Sequence, residues 1–344
     1  MKEAKIKNKS SIIKKIFIKL CRSLGYEIID QNNFTLPTSN QSAENSLSVQ
    51  GKISLTLPMG VTKIKRPIKA LDIILRTCAS VNMLTQTKKR LFENEKKEYS
   101  IRTLNSIVKS LNFSKNKLKN VKINITIIDH NSEKNVLDKF KLILSNQFFQ
   151  SKIINLDFDK YKPKINKINE EKNPVTYNQM SNMSNIHQSL EQAKNCEDLI
   201  YFVEDDYIHT KNSILEMILA YEKFSTLLDN ELFLCPADYP YLYNNLNETN
   251  VILGDKSHWR KIDQTLCTFL TSNKMITKYF ENLTSMCKFE HYPFEKPLHT
   301  IYSKEHCFSP IPSLAMHCTN INSIYGLPPN FDIRKIWDES AYKD

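Results

Sequence analysis

Residues Leu199-Ile200-Tyr201-Phe202-Val203 form an unbroken apolar run of strand length that ends in three consecutive carboxylates, Glu204-Asp205-Asp206. A run without polar alternation belongs inside a fold, as a buried strand. Three adjacent negative charges at its mouth repel one another, so the folded chain needs a group that holds them together. A divalent cation is the commonest such group, because hard carboxylate oxygens suit Mg2+ or Mn2+. Strand alternation predicts Glu204 and Asp206 on one face and Asp205 on the other. The competing explanation is the acidic N-terminus of a helix, which the pattern places over about 210–228.

The same strand-then-helix pattern recurs from residue 70. Leu71 to Arg76 reads as a buried strand, and Ile101, Leu104, Ile107, Val108 and Leu111 mark one face of a helix. Ile123 to Asp129 is a second strand, followed by a helix over about 133–144 and a short strand over 153–158. Strands alternating with helices imply right-handed crossovers and an α/β fold with a mostly parallel, Rossmann-like sheet flanked by helices. Ligands on such sheets bind beyond the carboxyl ends of the strands. Asp129 and Glu204-Asp205-Asp206 both lie at such ends. Beyond residue 230 the regularity weakens, with a helix expected over 272–282 and extended or loop structure around Pro293, Pro297, Pro310 and Pro312.

Composition removes several function classes. Five glycines in 344 residues permit neither G-x-G-x-x-G nor G-x-x-x-x-G-K-[ST], so phosphate would be held by a metal or by basic side chains. The eight cysteines are scattered without a C-x-x-C pair, which fits a reduced, cytosolic protein. The net charge of +11 is concentrated in residues 1–70, with 13 Lys/Arg against 4 Asp/Glu, so the body lacks the basic excess of a nucleic-acid partner. We divide the chain into an arm (1–69), a main domain (70–327) and a C-terminal tail (328–344). Within the arm, residues 11–25 form a basic amphipathic helix with Ile12, Ile13, Ile16, Phe17, Leu20 and Leu24 on one face. Such a helix suits either an anionic membrane surface, at the inner face of the cytoplasmic membrane, or the protein's own body. Residues 31–60 read as a linker with a hairpin near 46–57.

The order of these parts resembles the GT-A glycosyltransferases, in particular the large inverting family-2-like group, over about residues 70–320. In that family a second strand ends in an acid that contacts the nucleotide, matched by Asp129 in Ile127-Ile128-Asp129-His130-Asn131-Ser132. A later strand carries the D-x-D type metal motif, matched by Glu204-Asp205-Asp206, whose last Asp binds the metal. An acid, a proline-bearing strand and a histidine then follow, matched by Glu295, Pro310, Pro312 and His317. The resemblance implies a nucleotide-sugar donor, a glycan or lipid-linked acceptor and Mn2+ or Mg2+ held by Asp206, Glu204 and His317. It further implies donor contacts from Arg76, Asp129, Glu204 and Asp205, and a catalytic base. Glu295 is the first choice as base, with Glu290 and Asp263 as alternatives. The first strand ends in Arg76-Thr77-Cys78 where the family has Pro-x-Tyr-Asn, and a loop with Lys88-Lys89-Arg90 follows it. Glu295 precedes Lys296 where the family has Glu-Asp.

Each residue also has a plainer explanation. Asp129 fits an Asx-turn or helix cap, and His317 a buried histidine satisfied by backbone. Trp259 and Arg260, in His258-Trp259-Arg260, suit a sugar-stacking and phosphate-pairing role on the donor side, or packing in the case of Trp259. Asp238 and Tyr239 belong to the acceptor side or to a turn. The rival functions are a nucleotidyltransferase, a catalytically inactive carbohydrate-binding protein of the same fold, and a hydrolase pairing Glu204 with Glu295.

Overall fold

The computed structural model describes residues 12–26, 48–56, 60–80, 90–244 and 248–342. The chain begins with helix α1 (Ile12–Ser23) and a hairpin of β1 (Ile53–Thr56) and β2 (Gly60–Lys63). β3 (Ala70–Thr77), α2 (Lys96–Ser114), β4 (Lys122–Asp129), α3 (Lys134–Leu144) and β5 (Gln150–Asn155) form two successive β-α-β crossovers. A short α4 (Phe158–Tyr161) and α5 (Tyr177–Ala193) lead back to β6 (Leu199–Glu204), β7 (Tyr207–His209) and α6 (Ser213–Leu228). The second half holds β8 (Phe233–Leu234), β9 (Val251–Leu253), β10 (His258–Lys261), β11 (Phe269–Ser272), α7 (Asn273–Lys278) and α8 (Phe280–Lys288). It closes with α9 (Lys296–Tyr302), β12 (Cys307–Ile311), β13 (Ala315–His317) and α10 (Ile333–Glu339).

Nine strands form one sheet in the order β5-β4-β3-β6-β11-β8-β12-β10-β9. The first four are parallel, as the repeated pattern predicts, with Thr77 paired to Asp129 and Arg76 paired to Glu204. β6 is the apolar run, and Leu199 to Val203 are buried. The order reverses between β3 and β6: successive crossovers run outward from β3 through β4 to β5, and the chain then returns to the other side of β3. In open sheets of this kind ligands bind beyond the carboxyl ends of the strands at such a switch point. Beyond β6 the pairing is mainly antiparallel, and β13 pairs with β7 in a separate ribbon that sets His317 opposite Tyr207.

Local chemistry explains the element ends. Thr176 and Gln179 form a reciprocal capping box at the start of α5, and Ser272 accepts from Met275 N to start α7. The structure shifts several expected boundaries. The third strand is β5, and Phe158 already begins α4 because Asp157 accepts from Lys160 N. The helix expected over 272–282 is two, α7 and α8. Residues 296–302, expected as loop, are helical, with Pro297 in the first turn where its missing N–H costs nothing. The hairpin sits at 53–63 rather than 46–57, while most of the linker and the Lys88-Lys89 pair lie outside the described residues.

Neither end of the main domain stops where composition changes. Glu222 on α6 accepts from Gly51 N (2.8 Å), Ile68 N (2.8 Å) and Gln50 Nε2 (2.7 Å), which fastens residues 48–69 to the body. In the expected tail, Trp337 of α10 stacks on Phe92 and lies under the Arg102 guanidinium, against α2. Ile12, Ile13, Ile16, Phe17 and Leu20 of α1, by contrast, remain between 55% and 78% exposed, so that face is not buried on the body.

Candidate active site

The three carboxylates at the end of β6 each meet a cation from an earlier element. Arg76, at the end of β3 and in register with Glu204, places Nη2 3.1 Å from Glu204 Oε1. Lys96, the first residue of α2, stands 2.5 Å from Asp205 Oδ1 and 3.8 Å from Asp206 Oδ2. Arg90 Nη1 donates to Asp206 Oδ2 (2.8 Å) and to Cys318 O (3.2 Å). The mutual repulsion read from the sequence is thus offset by the protein's own side chains. The expected alternation of faces also fails, because β6 ends at Glu204. Asp205 and Asp206 lie in the following turn and share Lys96.

The acids have different environments. Asp205 is held by Lys96, by Ser100 Oγ (2.7 Å) and by Cys78 N (3.2 Å), so it clamps the β3 loop and α2 to the end of β6. Glu204 keeps 28% side-chain exposure, and Thr268 Oγ1 donates to its Oε2 at 3.3 Å. Burial alone would raise the Asp206 carboxyl, but Lys96, His317 and Arg90 outweigh it and hold Asp206 well below the usual carboxylate range.

His317 reaches the same place from β13. Its ring stacks on Tyr207 at 4.5 Å and its Nδ1 lies 2.6 Å from Tyr325 O. A carbonyl only accepts, so Nδ1 carries a proton and the Nε2 side of the ring is turned toward Asp206. That Nε2 is 3.7 Å from Asp206 Oδ1, the oxygen that Arg90 leaves alone. An imidazole whose far nitrogen is held by a carbonyl, facing a carboxylate oxygen, is a donor pair that fits a divalent cation. The described residues contain no group of three or more His, Cys, Asp or Glu side chains arranged as a full ligand set, so other ligands would come from substrate or water.

Glu295, just ahead of α9, faces Glu204 and Arg76. Burial and then the Glu204 charge push its carboxyl up to about 8, against a smaller opposing effect of Arg76. A carboxyl raised toward neutrality suits proton transfer. The two alternatives have other surroundings. Glu290 is buried and accepts from Gln179 Nε2 (2.6 Å) and Asn169 Nδ2 (3.2 Å), joining α5 to the 165–175 loop. Asp263 is exposed on the rim of a separate cleft.

Several expected donor residues are committed elsewhere. The Asp129 carboxylate accepts from Thr77 Oγ1 (2.6 Å), Ser132 N (3.1 Å) and Ser132 Oγ (2.5 Å), which is the turn-forming role. It lines a hollow of about 480 Å3 at the ends of β4 and β5, together with His130 and Phe158, whose rings stack at 5.3 Å. Trp259 is fully buried against Phe224, with Glu216 beside its Nε1, so its ring has no face for a sugar. Arg260 is buried and pairs with Asp238, whose other oxygen accepts from Tyr243 OH (2.5 Å). The sequence reading missed Lys96, Ser100, Thr268 and Tyr325. Arg90 was visible only as part of a basic loop.

No protein-family model matches this sequence, and no curated protein matches it. Solved structures are similar in the course of the chain. The galactosyltransferase LgtC, solved with donor and acceptor sugar analogues, matches at 8% identity and TM-score 0.31, over 62% of this chain and 64% of its own. Mouse xyloside xylosyltransferase 1 matches at 12% identity and TM-score 0.37, over 68% of this chain and 76% of its own. A UDP-glucose pyrophosphorylase complexed with UDP-glucose matches at 9% identity and TM-score 0.39, over 79% of this chain and 97% of its own. This chain thus spans under two thirds of LgtC. At such scores the chemistry has to come from this chain's own side chains.

The Lys96–Asp205 pair makes a direct prediction. Lys96→Met leaves a nearly buried carboxylate without its cation, so the urea midpoint falls by an amount equivalent to about 3–5 kcal/mol. A midpoint within experimental error of the parent protein would show that Ser100 and Cys78 N suffice to hold Asp205.

Proposed function

We propose that this protein is a glycosyltransferase that moves a sugar from a nucleotide-sugar donor to a glycan or lipid-linked acceptor with the help of Mn2+ or Mg2+. The observation that carries the reading is a convergence at Tyr325. Its carbonyl fixes His317 toward Asp206, while its phenol lies within the electrostatic reach of Glu295. An Asp–His pair suited to a cation and a carboxyl suited to accept a proton therefore gather around the end of β6, at the switch point of the sheet, where ligands of such sheets bind.

Each residue then has a task. Asp206 and His317 would hold the cation, which when bound would supply positive charge to a departing diphosphate. The hollow formed by His130 and Phe158 takes the nucleoside of the donor, while Asp129 shapes the loop around it. Arg76 pairs with Glu204 beside Glu295, and burial together with the Glu204 charge makes Glu295 more basic. The acceptor oxygen bonds to the anomeric carbon as the bond from that carbon to the diphosphate oxygen breaks. The electron pair leaves on the diphosphate and the acceptor proton passes to Glu295. α1 lies on an anionic membrane surface, because its apolar face is exposed and its sequence is otherwise basic.

Three outcomes test this reading. Glu295→Gln lowers turnover about 10²–10⁴-fold with donor affinity retained, and removes a limb of the pH profile that rises toward about pH 8. In the parent protein the folded state keeps this proton up to about pH 8 while the unfolded chain releases it near the ordinary carboxylate value. Stability therefore declines as pH rises through that window, and Glu295→Gln removes the decline. Unimpaired turnover in Glu295→Gln would remove it from the reaction. Second, Asp206→Asn and His317→Ala each weaken Mn2+ binding measured by electron paramagnetic resonance; unchanged affinity in both would detach the cation from this pair. Third, the full chain sediments with vesicles containing phosphatidylglycerol, and a Phe17→Glu/Leu20→Glu double variant does not. Equal sedimentation of the two would refute the membrane role of α1.

A further inference from the structure

The largest hollow described so far belongs to neither the cation pair nor the proton acceptor. It is a cleft of about 880 Å3 beside β9 and β10, near the upper end of small-ligand sites and roomier than a single sugar ring requires. Tyr241 and Tyr325 form its aromatic wall, with ring centroids 4.9 Å apart. Both hydroxyls are tied to Gln264: Tyr241 OH donates to its carbonyl (2.6 Å) and Tyr325 OH to its Oε1 (2.8 Å). The rings are thereby fixed, and their remaining faces are rigid apolar platforms of the kind that pack on the C–H face of a sugar.

Charge narrows the ligand class. The buried Arg260 that reaches this cleft is matched by Asp238, and the one further cation of the lining, Lys261, stands among Glu248 and Asp263. Such a lining does not attract a phosphate or a carboxylate. The remaining polar groups besides the tyrosines, Asn244, Thr249, Asn250 and Gln264, are neutral donors and acceptors that suit hydroxyl groups. Tyr325 belongs to both places, since its ring lines the cleft and its carbonyl holds His317.

We infer that this cleft binds an uncharged oligosaccharide of two or more rings along Tyr241 and Tyr325, and that this chain is the acceptor whose terminal hydroxyl meets Glu295. The second half of the inference rests on the transferase reading, whereas the first half stands without it. The experiment presents the full-length protein to a glycan array carrying neutral, carboxylated and phosphorylated oligosaccharides. Binding to neutral members is then measured by calorimetry for the parent protein, Tyr241→Ala and Tyr325→Ala. Thermal unfolding and Mn2+ binding report whether each variant is folded.

The expected result is binding confined to neutral oligosaccharides, weakened about ten-fold or more in each folded variant. Absence of neutral binding, a preference for charged glycans, or affinity unchanged in folded variants would overturn the cleft assignment. Gln264→Ala gives the same test if an aromatic variant does not fold, since it releases the Tyr325 hydroxyl from its side-chain partner without removing a ring. Neutral binding with no turnover of any nucleotide sugar would leave the cleft standing and sink the transferase reading. Donor turnover without glycan binding would do the reverse.

Discussion

The site depends on a balance of three carboxylates against three cations at the mouth of one buried strand. Glu204, Asp205 and Asp206 are consecutive, and Arg76, Arg90 and Lys96 all come from the end of β3 and the crossover that follows it. Removing such charges from water costs several kcal/mol per ion, and only close, well-aligned partners return it. The β3–α2 connection is therefore constrained electrostatically, since it has to deliver its cations to the end of a neighbouring strand. The register that pairs Arg76 with Glu204 achieves the first of these contacts through sheet geometry alone.

This balance changes what the acidic triplet means. Asp205 is consumed in joining α2 to β6, and Glu204 is braced by Arg76 and Thr268. Asp206 alone keeps an oxygen facing a second potential ligand, on His317. The three acids therefore have different surroundings: Asp205 is a structural clamp, Glu204 lies between Arg76 and Thr268, and Asp206 faces His317. A lone aspartate with a histidine is a weak cation site by itself. A cation bound there would depend on oxygen ligands from its substrate, which couples its affinity to donor binding.

The parallel half of the sheet was legible because its signals are local. β3, β4 and β6 are strands of six to eight residues rich in apolar side chains, and α2 and α3 show helical periodicity. β7, β8 and β13 have two or three residues each, too short for any period to register. Residues whose meaning is set by a distant partner were equally hidden. Ser100 and Asp205 are 105 positions apart, and Arg90 and Asp206 are 116 apart. In sequence, Lys96 looks like any lysine at the start of a helix. Asp129 and Trp259 show the opposite failure. Both have the residue type a binding role requires, yet the turn at Ser132 and the packing on Phe224 account for them fully.

Glu295 shows how the remaining pieces depend on one another. A carboxyl in this position would ionise near the ordinary carboxylate range if water reached it freely. Burial raises it, the charge of Glu204 raises it further, and Arg76 restrains both. Arg76, in register beside Glu204, offsets part of that rise. The same parallel pairing that forms the centre of the sheet thus sets the charges that surround the Glu295 carboxyl.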